Sequence, residues 1–518
     1  VASSLGDHDA DVLMGRVAAA SRTIAYLSDE TWRHIDRDFA DEPSVAIDVA
    51  GLDLVDNELV IVGDPSADPL LMLHAAVAAM RSGLPLARQS LRLLAERQSD
   101  LPDPWPQGAR DLFVELLSGG HRAIPVIESL DYFEVWTHLL PEWTPNRSRP
   151  QRNVYHRFTV DRHLLETVAE AARLTQRVRR PDLLLVAALL HDIGKGYPGD
   201  HTEVGVRLVG PIASRCGFSA SDAEVLSRLV EHHLLLPDVA TRRDLEDTQT
   251  IRGVAEKVET VEFLELLAAL TEADSIATGP TAWGEWKAHL VETLAALVTD
   301  YISSDGSTRR KRRSFVTQQL ESLMAEGETV VQGAGDTVTI VAPDRAGTFS
   351  RAAGALALRG LDVLQADAYS SEAGMAVSQF RVAEPDTPVD WERVTEDVYQ
   401  CLDGYLAIDA RISERARVYR RRTALSAKPV PTKVIFDVES ATDATIIEVR
   451  TEDHIGVLYH LTRALTEMGL DIRSAKIQTI SNEIVDTFYV TSANGPALSE
   501  SHCREIETAL MHALTRVD

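Results

Sequence analysis

The sequence predicts a multidomain chain of two structural classes, an all-α part followed by an α+β part. Two observations carry this. The apolar run 183–190 leads straight into His191-Asp192, and it is too long and too rich in Leu and Ala for a loop. Further on, Asp344-Arg345-Ala346-Gly347 returns as Asp453-His454-Ile455-Gly456, and Gly360-Leu361-Asp362 returns as Gly469-Leu470-Asp471. Every such pair is separated by 109 residues. At 518 residues, several cores are expected rather than one.

Residues 1–150 give mixed signals. Helices are expected at 17–24 and 70–80, and strands at 44–48 and 58–62, with Asp56-Asn57 as turn residues. Pro102, Pro104 and Pro106 break the stretch that follows, and a short helix at 111–117 ends on Gly119-Gly120. There is no phosphate-binding Gly-rich loop, and no Gly-Ser pair followed by spaced carboxylates. This region contributes no recognisable chemistry.

Residues 151–305 hold the chemistry. The helix over 183–190 is read as ending at Gly194. Its terminal His-Asp doublet is costly to bury, several kcal/mol for each group without a partner. A divalent cation removes that cost by taking an imidazole nitrogen and a carboxylate oxygen from neighbouring residues. Further ligand types flank the doublet in order: His163 before it, then His201, the pair His232-His233, and Asp274 after another apolar helix. Lys195 falls on the face of His191 if the helix runs one more turn. Thr159 or Asp161 is expected to cap the helix of His163, and His156 precedes that helix.

The repeat spans 335–418 and 443–518. Each copy reads strand, Asp-x-x-Gly turn, amphipathic helix, Gly-Leu-Asp, strand, with strands at 337–341 and 445–450 and helices at 349–359 and 458–468. The turn Asp is suited to capping the helix, and the Gly to close approach of backbone or ligand.

Composition narrows the function. A formal charge of -27 argues against a nucleic-acid partner. The basic runs at 309–313 and at Arg417 with 420–422 read as linker faces. Three scattered cysteines indicate neither a disulfide framework nor a Cys-based zinc site. No apolar run approaches a membrane span and no signal pattern is seen, so a cytoplasmic location without membrane association is expected.

The ordered ligand set around His191-Asp192-Ile193-Gly194-Lys195 resembles the HD superfamily of metal-dependent phosphohydrolases. The two turns resemble tandem ACT domains, ferredoxin-like βαββαβ amino-acid sensors. Together with Val154-Tyr155-His156-Arg157-Phe158-Thr159-Val160-Asp161-Arg162-His163, the arrangement resembles the bifunctional uridylyltransferase/uridylyl-removing enzymes of bacterial nitrogen control. The resemblance implies a phosphodiesterase that removes UMP or AMP from a tyrosine of the PII signal protein, with glutamine at the ACT domains favouring removal. It implies one or two divalent ions (Mn, Fe, Zn or Mg). His163, His191, Asp192 and Asp274 would hold the first, and His201, His232 and His233 a second. Asp192 and Lys195 would serve catalysis, Lys195 by stabilising phosphoryl charge. Asp344, Arg345, Gly347, Asp453, His454 and Gly456 would form the glutamine sites. Two other readings stand beside this one. A hydrolase of a free nucleotide such as guanosine polyphosphate is disfavoured by the lack of a synthetase-like segment between the two parts. A non-catalytic glutamine sensor is disfavoured by the full ligand set.

The family's full-length members also nucleotidylate PII through a Gly-Ser and paired-Asp motif that this chain lacks. The chain alone is therefore expected to transfer no nucleotide. Incubation of PII with radiolabelled UTP or ATP checks this, and labelled PII would contradict it.

Overall fold

The computed structural model describes residues 2–36, 49–151, 156–280, 282–304, 316–371, 373–383, 389–423, 430–438, 440–480, 483–493 and 495–515. The expected strand at 44–48, the basic run at 309–313 and the motif residues 153–155 lie outside these. The chain divides into two compact units, 1–237 with 258–299, and 238–257 with 300–518.

The first unit is helical. It begins with α1 (Ala10–Asp36), the hairpin β1 (Leu52–Val55) and β2 (Glu58–Ile61), then α2 (Leu71–Ser82), α3 (Arg88–Arg97), α4 (Gln107–Ser118), α5 (Ala123–Tyr132) and α6 (Val135–Leu139). Asp56 and Asn57 do form the hairpin turn, both at positive φ, as a two-residue turn of this hand requires. The strand they join to β2 is the adjacent 52–55. Next come α7 (Val160–Leu174), α8 (Pro181–Leu190), α9 (His201–Arg215) and α10 (Ala220–His232); α11 (Leu235–Arg242) and α12 (Thr248–Val258) follow in the chain but fall largely in the second unit, and α13 (Val261–Thr278) and α14 (Glu285–Ser303) return to the first. Every residue of 183–190 in α8 is buried, so this helix is a core rod without a solvent face. Helices α7, α10 and α13 all pack against it.

α8 stops at Leu190, one turn earlier than the sequence suggests. His191 caps it, and a 3-10 turn, Ile193–Gly196, carries the chain away. Gly194 sets this geometry. A Cβ there would lie 2.0 Å from the His201 carbonyl oxygen, so only glycine lets the turn rest on the start of α9. Asp200 then caps α9, accepting from the backbone N–H groups of Thr202 and Glu203.

The second unit contains α15 (Gln318–Glu326), β3 (Val330–Ala334), β4 (Thr337–Pro343), α16 (Thr348–Arg359), β5 (Val363–Ser370), β6 (Met375–Val382), α17 (Trp391–Leu402) and α18 (Ile408–Thr423). Its second half contains β7 (Lys433–Asp437), β8 (Thr445–Glu452), α19 (Val457–Glu467), β9 (Leu470–Ile480), β10 (Glu483–Ser492) and α20 (Glu500–Thr515). The eight strands form one antiparallel sheet, β3-β4-β6-β5-β9-β10-β8-β7. Each repeat supplies four neighbouring strands, and the two meet where Gln365, Ala366 and Asp367 pair with Lys476, Ala475 and Ser474.

The order within a repeat is ββαββα, not the expected βαββαβ. The outer strand of each half precedes the repeat and folds back as a hairpin onto β4 or β8. After α17 the chain continues into a charged helix, α18, instead of a closing strand.

Residues 238–257 belong to the sheet unit although their flanks lie in the helical one. They are held there by specific bonds. The Asp244 amide donates to the buried Tyr489 hydroxyl at 2.7 Å, and Asp247 accepts from the Thr442 amide and hydroxyl at 3.0 and 2.6 Å. Replacing Tyr489 by Phe removes an acceptor from a buried N–H, at a cost of about 1–3 kcal/mol. Tyr489→Phe should speed amide exchange at Asp244 and leave the α8 amides unchanged. Unaltered exchange at Asp244 would mean that the bond carries none of this cost.

Candidate metal centre

The donors come together at the end of α8. His163 Nε2 lies 3.3 Å from His191 Nε2 and 3.0 Å from Asp274 Oδ1, and His191 Nε2 lies 3.4 Å from the same oxygen. Asp192 Oδ2 is 3.4 Å from His191 Nε2 and 3.7 Å from His163 Nε2. Its other oxygen, Oδ1, is 3.7 Å from His201 Nε2 and 3.8 Å from His233 Nε2. Donors about 2.0–2.2 Å from one cation lie roughly 3–3.5 Å apart, so the first four sit close to ligand spacing. Asp192 divides its oxygens between this group and the pair His201 and His233.

Local structure explains each placement. His163 sits on α7, one turn in, and Asp274 projects from α13, one turn before its end. Asp161 anchors the start of α7. Its Oδ2 accepts from Arg22 Nη1 at 2.8 Å and from the Ser148 amide at 2.7 Å. Thr159 is the N-cap residue by position but makes no side-chain capping bond. Ring orientation is set from behind: His191 Nδ1 lies 2.9 Å from the Ala188 carbonyl and His233 Nδ1 lies 2.6 Å from that of Val230. These contacts leave Nε2 of both rings turned to the centre.

Three residues stand differently from the sequence reading. His232 does not join the donors, and its ring packs edge-on against Phe263. His156, which the sequence left ambiguous, does come in, grouping with His163 and Asp192. Lys195 reaches the site from the 3-10 turn, not from a continued helix. Its Nζ is 2.5 Å from Asp192 Oδ2, donates to Gln151 Oε1 at 2.8 Å, and lies 3.5 Å from His156 Nε2.

The electrostatics suit a cation. Burial alone would depress the His191 imidazole, yet Asp192 and Asp274 outweigh it and lift the group to about 10. Burial would likewise raise both carboxylates, but Lys195 and His191 hold Asp192, and His191 and His163 hold Asp274, well below the usual range. Burial, then Lys195, push His156 down to about 4. Two buried carboxylates thus require positive charge between them, and a divalent ion and a histidine proton are alternative sources. Asp192 Oδ1 has no hydrogen-bond partner although it is buried, a further sign that the residues fit a metal.

The turns of the repeat differ from expectation in one respect. The N-cap positions of α16 and α19 are Gly347 and Gly456, at φ of 89° and 90°, with no side-chain cap from Asp344 or Asp453. A Cβ on Gly347 meets only Ser350 Oγ at 3.5 Å, whereas one on Gly456 would strike Ile412 Cγ2 at 2.4 Å. Gly347 therefore borders open space, and Gly456 serves packing against α18. Asp344 and Arg345 are exposed and His454 is half-buried.

Metal analysis tests the donor set. His191→Ala and Asp192→Ala should lose metal, because each opens the shell. His232→Ala should retain the wild-type content. Elemental analysis showing full metal in the first two, or loss in the third, would contradict this geometry.

Residues 160–278 match the HD domain family. The chain is 37% identical to the bifunctional uridylyltransferase/uridylyl-removing enzyme of Streptomyces coelicolor, an alignment covering 99% of this chain and 70% of that protein. It is 38% identical to the protein of the same name from Mycobacterium tuberculosis over 87% of this chain and 58% of that one. With the Ruegeria pomeroyi protein of that name it shares 30% identity, over 90% of this chain and 58% of the relative. The chain belongs to the bifunctional uridylyltransferase/uridylyl-removing enzyme family.

Proposed function

We propose that residues 151–305 form a metal-dependent phosphodiesterase that removes UMP or AMP from a tyrosine of PII, and that 335–418 and 443–518 are ACT domains through which glutamine raises its rate. The observation that carries the hydrolytic reading is the convergence of His163, His191, Asp192 and Asp274, with Lys195 at their edge. A bound divalent ion supplies an acidified water and charge relief on the phosphate. The remaining work falls to the chain. Asp192 holds both donor groups in register through its two oxygens. Lys195 presents a positive charge at their edge, suited to a phosphoryl oxygen that gains charge in the transition state. Gln151 and His156 fix its ammonium from the other side.

The charge pattern of the sheet unit supports an amino-acid ligand. Burial and then Asp362 raise Asp453, while burial and then Asp344 raise Asp471. Each turn carboxylate thus interacts with the Gly-Leu-Asp carboxylate of the other repeat. An ammonium group between such a pair relieves the repulsion.

Lys195→Ala should retain metal and release nucleotide from modified PII about 10²–10³-fold more slowly. Hydrolysis of guanosine polyphosphate but not of modified PII would replace this reading by the free-nucleotide one. Glutamine should shift the rate by a coupling of about 1–3 kcal/mol. Gly347→Val, which fills open space at a strained φ, should weaken glutamine binding in calorimetry. Gly456→Val would instead disturb the α18 contact.

A further inference from the structure

Strand β10 carries an acid in an apolar position. Ile484, Asp486 and Phe488 alternate onto one face of the sheet, and Ile484 and Phe488 lie in the hydrophobic core with Val449, Val457 and Ile477. Asp486 pairs in register with Val449 on one side and Ile477 on the other. It is fully buried, and neither carboxylate oxygen has a hydrogen-bond partner. A buried carboxyl without a donor is costly and rare in a folded core.

The sister repeat lacks it. Ser378 of β6 pairs with Ile340 and Ala368, which stand 109 residues before Val449 and Ile477. Ser378 is therefore the counterpart of Asp486, and repeat 2 has a carboxyl where repeat 1 has a hydroxyl. The charged group that acts on Asp486 is Asp453, in the turn before α19, and Asp453 in turn feels Asp362. Asp453 thus adds negative charge near a buried carboxyl that has no hydrogen-bond partner. These acids are not among the side-chain groups spaced for a metal ion within the described residues. A cation that donates hydrogen bonds suits a lone carboxylate better than a metal short of ligands.

We propose that Asp486 anchors the ammonium group of the amino-acid ligand, making repeat 2 the tighter and more discriminating of the two sensor sites. This deepens the glutamine reading above and rests on it for the identity of the ligand. Binding brings three N–H donors to the orphaned oxygens. Repeat 1, with a serine hydroxyl at that depth, offers no charge and binds more weakly.

The test is calorimetry on the whole chain with glutamine and with glutaramate, the same skeleton without the ammonium. Asp486→Asn should weaken the tighter glutamine sites roughly 10- to 100-fold, the loss expected for a charge-assisted hydrogen bond, and leave glutaramate unchanged. Its melting temperature should not fall, since one buried polar group without a partner replaces another of the same shape. If it does fall, Asp486→Ser, the sister repeat's own residue, serves in its place. Unchanged glutamine affinity in the variant overturns the anchor and leaves glutamine sensing intact. If the wild type binds no glutamine, melting shifts are measured with a panel of α-amino acids. A shift seen in the wild type and lost in Asp486→Asn upholds the anchor while the glutamine reading fails. No shift with any of them overturns both.

Discussion

The helical unit depends on one constraint, the need to keep two acids charged inside a core. Asp192 sits at the end of a helix without a polar face, and Asp274 approaches from α13. In such surroundings a lone carboxylate would take up a proton. Here the charge is retained because imidazoles and the Lys195 ammonium stand within 4 Å. Their positions follow from features with no chemistry of their own. Gly194 admits the start of α9, and Gly205, where a Cβ would meet Val230 Cγ1 at 2.9 Å, lets α9 lie close to α10. Arg22, 139 residues before it in the chain, pins Asp161 and with it the first turn of α7.

Much of this arrangement was legible in the sequence because the donor residue types recur in order along apolar helices, and a buried helix shows itself by composition. The failures have physical causes. Adjacent residues on a helix project about 100° apart, so His232 and His233 cannot both face one point. The sequence offers the pair without saying which one turns inward, and α10 directs His233 to Asp192 and His232 to Phe263. His156 lies before its helix, where no periodicity fixes direction. The sequence puts the end of α8 too late because Gly194 resembles a helix stop, whereas it is a point of close approach.

In the sheet unit the repeat was visible through its turns, and the constant spacing located both helices to within a residue. Strand order was harder. An outer strand contributes few inward residues, and Val330–Ala334 and Lys433–Asp437 are only five residues long. Nothing so short tells whether the sheet is closed by a segment before the repeat or after it. Likeness between repeats also hid differences in environment. Gly347 and Gly456 match in sequence and in φ, yet one borders open space and the other is pressed by Ile412.

The segment 238–257 bears on how the protein can be taken apart. It leaves the helical unit shortly after His233 and returns just before the helix of Asp274, so the chain passes between the units three times. A cut between residues 299 and 300 severs only the last passage. The sheet fragment so released would still have to shed a borrowed strip held by Tyr489 and Thr442. Expressed alone from residue 300 onward, that fragment would present the Tyr489 hydroxyl and the Thr442 hydroxyl without the groups that now meet them. The boundary drawn by the linker and the boundary drawn by packing are different, and a truncation designed on the first would divide the second.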